Sequence, residues 1–413
     1  MAATDETATD ETVRRGEAGE RGPFVRSDCW IAVEPREAGG VEIALASKVA
    51  GMYGESIREL VREGCRALHV EHARIEIEDH GALPFVLAAR LETAVKRALP
   101  ECSEEFLLPM SGRCEYGTRR ERLRRSRLYL PGTQPKLFIN AGLHRPDGVI
   151  LDLEDAVAPA EKDAACVLVR NALRAVDFHG AERMVRINQG EPGLGDLAWI
   201  AEHNVHVILI PKVEDPDQVL DVAETLAELA PGREIFLMPI VESALGAWRA
   251  YEIAAAHPSV VALAIGLEDY TADIGTQRTL EGHESFWARS QVLNGARAAG
   301  VQPIDTVFSD VGDMEGLRTS VLEAKALGYV GKGCIHPRQI PVVHAAMAPT
   351  EAEIARAVRI VRAFEDAEAK GLGVVALGSK MIDAPVVRRA LTTVETAVLM
   401  GELAADWREK AAG

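Results

Sequence analysis

The chain has 413 residues, 47% hydrophobic and 26% charged, enough for one barrel of about 250 residues plus a small second domain. A formal charge of −17 argues against nucleic acid or an anionic membrane as partner, so an acidic substrate must be held by local arginine, lysine or metal. The 6 cysteines show no C-x-x-C spacing, and there is neither a basic-then-apolar leader nor an apolar run of roughly 18 residues, which together give the expectation of a soluble, cytoplasmic protein with no zinc site and no membrane span.

Residues 1–22 repeat Ala-Thr-Asp-Glu-Thr and then turn Gly, Glu and Arg rich, too poor in apolar side chains to offset ordering entropy, and read as a disordered tail. Residues 23–99 read as a small α+β domain. Within it, Cys29–Val33 and Val41–Leu45 flank Pro35 and Gly39-Gly40 and suggest a hairpin. Ile57, Leu60, Val61 and Cys65 follow helical spacing, Ile75 and Ile77 alternate before Asp79-His80-Gly81, and Leu91, Ala94, Val95 and Leu99 suit a closing helix. Residues 100–124 read as a linker. Its arginines at Arg119, Arg120, Arg122 and Arg124, with Arg125 beside them, form a solvated basic helix or, alternatively, a patch for phosphate.

Eight apolar runs follow in residues 125–348, separated by segments of helical length: Leu128–Leu130, Gly148–Leu153, Met184–Ile187, Val205–Ile210, Ile235–Val241, Val260–Gly266, Gln302–Phe308 and Tyr329–Ile335. Strands alternating with helices imply right-handed βαβ units, and eight of them imply an α/β fold closed as a (β/α)8 TIM barrel. Residues 349–413 carry a capping box at Thr350 to Glu353, a helix stopping at Gly371, a turn through Gly378-Ser379-Lys380, and a last helix after Met381-Ile382-Asp383-Ala384-Pro385; they read as a C-terminal helical flap.

Polar chemistry gathers where the apolar runs end. Glu242 and Asp269 close successive strands, so their carboxylates can share an oxygen-preferring divalent ion such as Mg²⁺ with waters and substrate oxygens. Arg186 opens from the third run, with Asn188 two residues on, and can clamp a carboxylate or offset charge developing on an adjacent oxygen; pairing with Asp152, Glu154 or Asp155 is the structural alternative. Those three acids read mainly as groups that orient Arg186 or metal-bound water. Lys136, beyond Pro131-Gly132, is a further substrate-binding candidate. His336 reads as a hydrogen-bonded group at the end of the eighth run rather than a base, and Lys212 as a salt-bridged lysine rather than a Schiff-base nucleophile. Asp383 ahead of Pro385 has the place of a helix N-cap.

Arg125-Ser126-Arg127-Leu128-Tyr129-Leu130-Pro131-Gly132, Leu151-Asp152-Leu153-Glu154-Asp155-Ala156-Val157, Val185-Arg186-Ile187-Asn188, Ile210-Pro211-Lys212-Val213-Glu214 and Ile335-His336-Pro337-Arg338-Gln339 stand in the order found in citrate lyase β chains and malyl- and citramalyl-CoA lyases. Over about residues 125 to 399 the chain resembles that family. The resemblance implies a Mg²⁺-dependent lyase acting on a β-hydroxyacyl thioester, citryl, malyl or citramalyl in type, to give an acetyl thioester and a 2-oxo acid. It matches Arg186 to the oxo-acid arginine, Glu242 and Asp269 to the metal ligands, and Asp383 to a flap aspartate that reaches a neighbouring subunit of a homo-oligomer, a trimer by resemblance.

Residues 24–98 resemble the citrate lyase acyl carrier protein through Asp79-His80-Gly81-Ala82-Leu83 and Ala88-Ala89-Arg90-Leu91-Glu92. That family attaches a phosphoribosyl-dephospho-CoA arm to a serine two residues before an aspartate. Here Arg26 holds that place and Ser27 directly precedes Asp28, so the arm has moved to Ser27 or the substrate is a free coenzyme A thioester. Malyl thioesterase activity is a neighbouring alternative. A non-catalytic carrier or scaffold serving a citrate lyase α-type acyl transferase is another, which an intact Arg186, Glu242, Asp269 and Asp383 set speaks against.

Overall fold

The computed structural model describes residues 14–369, 375–377 and 380–408. The N-terminal unit is a four-stranded sheet made of β1 (Gly16–Gly19), β2 (Cys29–Pro35), β3 (Val41–Ser47) and β4 (Ala73–Asp79), with α1 (Ala50–Ala67) and α2 (Pro84–Ala98). Its order is β1-β2-β4-β3. The expected hairpin is therefore corrected: β2 and β3 are separated by β4, which pairs antiparallel with β2 and parallel with β3. Ala73, Ile75 and Ile77 give β4 a fully buried inner face at the centre, and α1 supplies the crossover between the parallel pair.

The expected disordered tail of residues 1–22 is corrected over its second half. Gly16–Gly19 pairs antiparallel with β2, and Ala18 is buried. A Cβ on Gly16 would lie 2.0 Å from the Ala94 carbonyl oxygen, so glycine lets this edge strand lie directly on α2. Composition suggested disorder, but backbone pairing needs no apolar side chains. Residues 1–13 lie outside the described residues.

The barrel strands are β5 (Ser126–Pro131), β6 (Gly148–Asp152), β7 (Glu182–Arg186), β8 (Val207–Ile210), β9 (Phe236–Val241), β10 (Ala262–Ile265), β11 (Gln302–Asp305) and β12 (Gly331–Cys334). All eight expected runs are present and all pair in parallel, closing as a barrel through β12 and β5. Around and between them run α3 (Pro135–Phe138), α4 (Lys162–Ala175), α5 (Glu191–Ile200), α6 (Pro216–Leu229), α7 (Ala244–Trp248), α8 (Ala250–Ala255), α9 (Leu267–Asp273), α10 (Phe286–Ala298), α11 (Met314–Leu327) and α12 (Gln339–Met347). Strand residues alternate between two cores: Val149, Leu151 and Val185 face the helices, whereas Ile150, Met184 and Met238 fill the interior.

The C-terminal segment contains α13 (Glu351–Glu368), a β13 (Val375–Leu377) and β14 (Lys380–Ile382) ribbon, and α14 (Ala384–Leu399). The capping box at Thr350 and Glu353 forms as expected. The expected stop at Gly371 and the turn at Gly378-Ser379 lie outside the described residues. Ile360, Val361, Val387, Val394 and Trp407 give these helices their own small core. Among the described residues no helix is long and apolar enough to cross a membrane, and all 6 cysteines are free.

The solvated basic helix expected at Arg119 to Arg125 is absent, and four of its five arginines are engaged within the protein. Arg124 is buried in a bidentate pair with Glu182, Arg125 pairs with Asp147, and Arg120 and Arg122 donate to the carbonyls of Pro258, Val260, Asp147 and Gly180. The arginines staple the chain across the N-terminal ends of the barrel strands, satisfying carbonyls that would otherwise be left unpaired.

Helix α2 joins the N-terminal unit to the barrel. Its Leu87, Leu91 and Val95 pack into the sheet's core, while Phe85, Val86 and Ala89 belong to the barrel's outer core. Glu92 of α2 and Arg170 of α4, both 0% exposed, pair at 2.6 Å. Glu92→Ala removes the closer of the two carboxylates on Arg170 and leaves Glu105 at 2.9 Å, so it is expected to destabilise the protein by about 1.5–3 kcal/mol, the worth of hydrogen bonds to a charged group. Denaturant unfolding that shows a loss below about 1 kcal/mol would mean the two units are not tied together through this pair.

Candidate active site

At the C-terminal ends of the barrel strands a cavity of about 460 Å³ opens, lined by acids and by two cationic side chains, Arg186 and Arg127. Parallel barrels place polar groups here because the backbone leaves the core at this rim. Arg186 ends β7 and Asp152 ends β6, in register as strand neighbours. Arg186 Nε and Nη2 each donate to an Asp152 oxygen at 2.7 Å, and Nη1 lies 2.7 Å from Glu154 Oε2. The guanidinium also lies over the Tyr129 ring, 5.3 Å from its centroid. The structural pairing weighed for Arg186 is thus present, and the same geometry fixes its direction.

Lys212 Nζ reaches Glu154 Oε1 at 2.6 Å and Asp155 Oδ1 at 3.3 Å. Burial pulls its ammonium down, but the hydrogen bond and charge of Glu154, with Asp155, more than offset this and raise it above the usual lysine value. A lysine held charged is a poor Schiff-base nucleophile.

Glu242 follows β9 directly, and Asp269 lies in the first turn of α9, just past β10; β9 and β10 are parallel neighbours. Glu242 is 6% exposed, and its Oε2 has no hydrogen-bond partner. Burial, then the negative charges of Asp269 and Glu154, push its carboxyl up to about 8. A buried, partnerless carboxylate oxygen beside a second carboxylate is unfavourable alone and suits a divalent cation. Among the described residues no group of three or more His, Cys, Asp or Glu can hold a metal, so any ion would take its other ligands from water and substrate oxygens. Gly266 is part of this arrangement, since a Cβ there would lie 2.6 Å from Glu242 Oε1.

Other expected site residues fall elsewhere. Asn188 does not share Arg186's cavity: its Nδ2 and backbone N both donate to Asp196 Oδ2 at 2.8 Å, because the chain turns into α5 after β7. Lys136 is exposed on α3 and is not among the lining residues. His336 accepts from the Arg338 backbone N–H. Asp383 is exposed, caps α14 by accepting from Val386 N at 3.2 Å, and does not line this chain's cavity. Ser27 has a φ of 56° and donates its N–H to His80 O. Sequence reasoning passed over Arg127, Tyr129 and Gly266 as site residues. For Gly266 a signal existed in the glycine directly ahead of Leu267-Glu268-Asp269.

Fold and rim chemistry together define a (β/α)8-barrel carbon–carbon lyase. Residues 125–337 match the family described as HpcH/HpaI aldolase/citrate lyase, and residues 21–98 match that of the malonate decarboxylase delta subunit, an acyl-carrier type. The chain belongs to the HpcH/HpaI aldolase/citrate lyase family. It is 41% identical over 283 residues to the citrate lyase subunit beta of Haemophilus influenzae, covering 67% of this chain and 97% of that one. It is 36% identical over 261 residues to a (3S)-malyl-CoA thioesterase of Cereibacter sphaeroides, covering 63% of this chain and 89% of the relative. Among solved structures, CitE of Mycobacterium tuberculosis in complex with magnesium, acetoacetate and coenzyme A matches with a TM-score of 0.56 and 34% identity, over 68% of this chain and 99% of that one.

Proposed function

We propose that this protein is a Mg²⁺-dependent lyase that splits a β-hydroxyacyl-coenzyme A thioester of citryl type into an acetyl thioester and a 2-oxo acid, acting in the cytoplasm as a homo-oligomer. The observation that carries this reading is the partnerless Glu242 carboxylate beside Asp269 in a cavity that also holds Arg186. Glu242 and Asp269 would hold Mg²⁺, which supplies Lewis-acid polarisation of the substrate's hydroxyl and carboxylate oxygens. Arg186, fixed by Asp152 and Glu154, turns its guanidinium to the cavity and offsets negative charge as the carbon–carbon bond breaks. Gly266 leaves room for the Glu242 carboxylate at the rim. The proton exchange falls to Asp383 on the flap of a neighbouring subunit, the role the resemblance implies; Asp383 does not line the cavity of its own chain.

Free coenzyme A thioester is favoured over an arm on Ser27. Asp28 is locked in a buried bidentate pair with Arg90, whose Nη2 also donates to the Thr133 carbonyl of the barrel. With α2 buried between both cores, the carrier-like unit is docked rather than free to swing. The test is Mg²⁺-dependent release of 2-oxo acid from citryl-, citramalyl- and malyl-CoA by protein whose intact mass is that of the bare chain. Release that EDTA stops and Mg²⁺ restores is expected. Coenzyme A release without acetyl-CoA marks the thioesterase alternative, and inertness with every thioester favours a scaffold.

A further inference from the structure

One charge in the site has no partner of its own. Arg127 of β5 points into the barrel with Tyr129 and Pro131, lines the floor of the cavity, and is 2% exposed. Its Nη1 meets only Met238 Sδ at 3.1 Å, its Nη2 reaches the Asp305 carbonyl at 3.5 Å, and its Nε has no partner. Among the described residues no carboxylate pairs with it. The Asp305 carboxylate is already taken by Lys332 at 2.7 Å and Arg289 at 3.2 Å. A guanidinium stays charged in proteins, and burying one without a counter-ion is strongly unfavourable. Such a group in a native structure calls for an explanation, and one is a bound group that completes it.

The other lining cation, Arg186, ends β7 at the rim, where Asp152 and Glu154 hold it, so a substrate anion at the floor would meet Arg127 first. A 2-oxo acid presents its 2-oxo and 1-carboxylate oxygens as a pair suited to an ion that Glu242 and Asp269 would hold at the rim. Any second carboxylate then needs its own cation deeper in the cavity. We propose that Arg127 is a specificity-determining residue that pairs with the distal carboxylate of a dicarboxylic 2-oxo acid. It thereby selects such an acid over those carrying hydrogen or methyl in that place. Polar sites built to be completed by a substrate group discriminate strongly against analogues lacking it, because the site's own group is then left buried and unpaired.

This inference rests on the lyase reading, so it is tested by both turnover and binding with the Mg²⁺-loaded full chain. The parent is expected to have a higher kcat/KM for citryl-CoA than for citramalyl- or malyl-CoA. Arg127→Met, which continues the apolar interior beside Met238, should lower that ratio by about tenfold or more. Arg127→Gln carries the same expectation should the Met variant not fold. Calorimetric titration with oxaloacetate, pyruvate and glyoxylate should show preferential binding of oxaloacetate by the parent and loss of that preference in the variants. A parent without preference, or variants that keep the parent's ratio, overturns the proposal. If no thioester is turned over, the lyase reading fails and the titration alone decides on Arg127: a preference lost on substitution upholds it, and equal binding overturns it.

Discussion

Glu242→Gln is expected to lower kcat by about a thousandfold, equivalent to ~4 kcal/mol of transition-state stabilisation, while the barrel stays folded. The side chain sits at the rim, outside both barrel cores, so its loss removes little packing. Its stability effect has a definite sign. Burial and the charges of Asp269 and Glu154 hold the Glu242 carboxyl at about 8, above its usual 4.5. For an acid raised in the folded state, the stabilising contribution is full below about pH 4.5 and is lost as pH rises through about 8. A neutral glutamine suffers no such loss, so the metal-free variant should melt at or above the metal-free parent at pH 8. Mg²⁺ should raise the parent's melting temperature and leave that of the variant nearly unchanged. Differential scanning calorimetry with and without Mg²⁺, beside 2-oxo acid release, separates the effects. Near-parent turnover by the variant after EDTA treatment and Mg²⁺ return would remove Glu242 from the metal site.

The barrel was legible because its signals are redundant. Each apolar run of β5 to β12 is bounded by a helical segment, and a carboxylate or arginine at the end of a buried strand, as at Asp152, Arg186 and Glu242, marks the rim whatever the loop lengths. Elements held by backbone or by arginine geometry were not legible. β1 forms through backbone pairing and the close-packed Gly16, and the arginines at 119–125 look solvated until the carbonyls and acids they meet are known. Arg127 was hidden for a related reason. Arg127 and Tyr129 alternate with Leu128 and Leu130, but both faces of a barrel strand are covered, so the alternation does not say which face carries the arginine inward. The order of β2, β4 and β3 is likewise a competition among strands for the centre of a sheet, which turn residues such as Gly39-Gly40 do not decide.

Asp383→Asn is expected to lower kcat by about a hundredfold to ten-thousandfold, the range of a lost general acid–base group, with almost no change in melting. Asparagine is the informative replacement because it caps a helix about as well as aspartate, so the hydrogen bond accepted from Val386 N can be retained while the titrating carboxyl is removed. If capping were the whole role of Asp383, the Asn variant would turn over like the parent, and only Asp383→Ala would show a loss, of about 1 kcal/mol in stability. Asp383 is exposed at the start of α14 and does not line its own chain's cavity, so the proposed catalytic role is one exercised on another chain. Oligomers mixed from Asp383→Asn and Arg186→Ala chains should then regain activity that neither parent variant has, because an intact flap from the second can meet an intact barrel from the first. Verified mixed oligomers with no recovered turnover would rule out this exchange between subunits and leave Asp383 acting within its own subunit or only as the N-cap of α14.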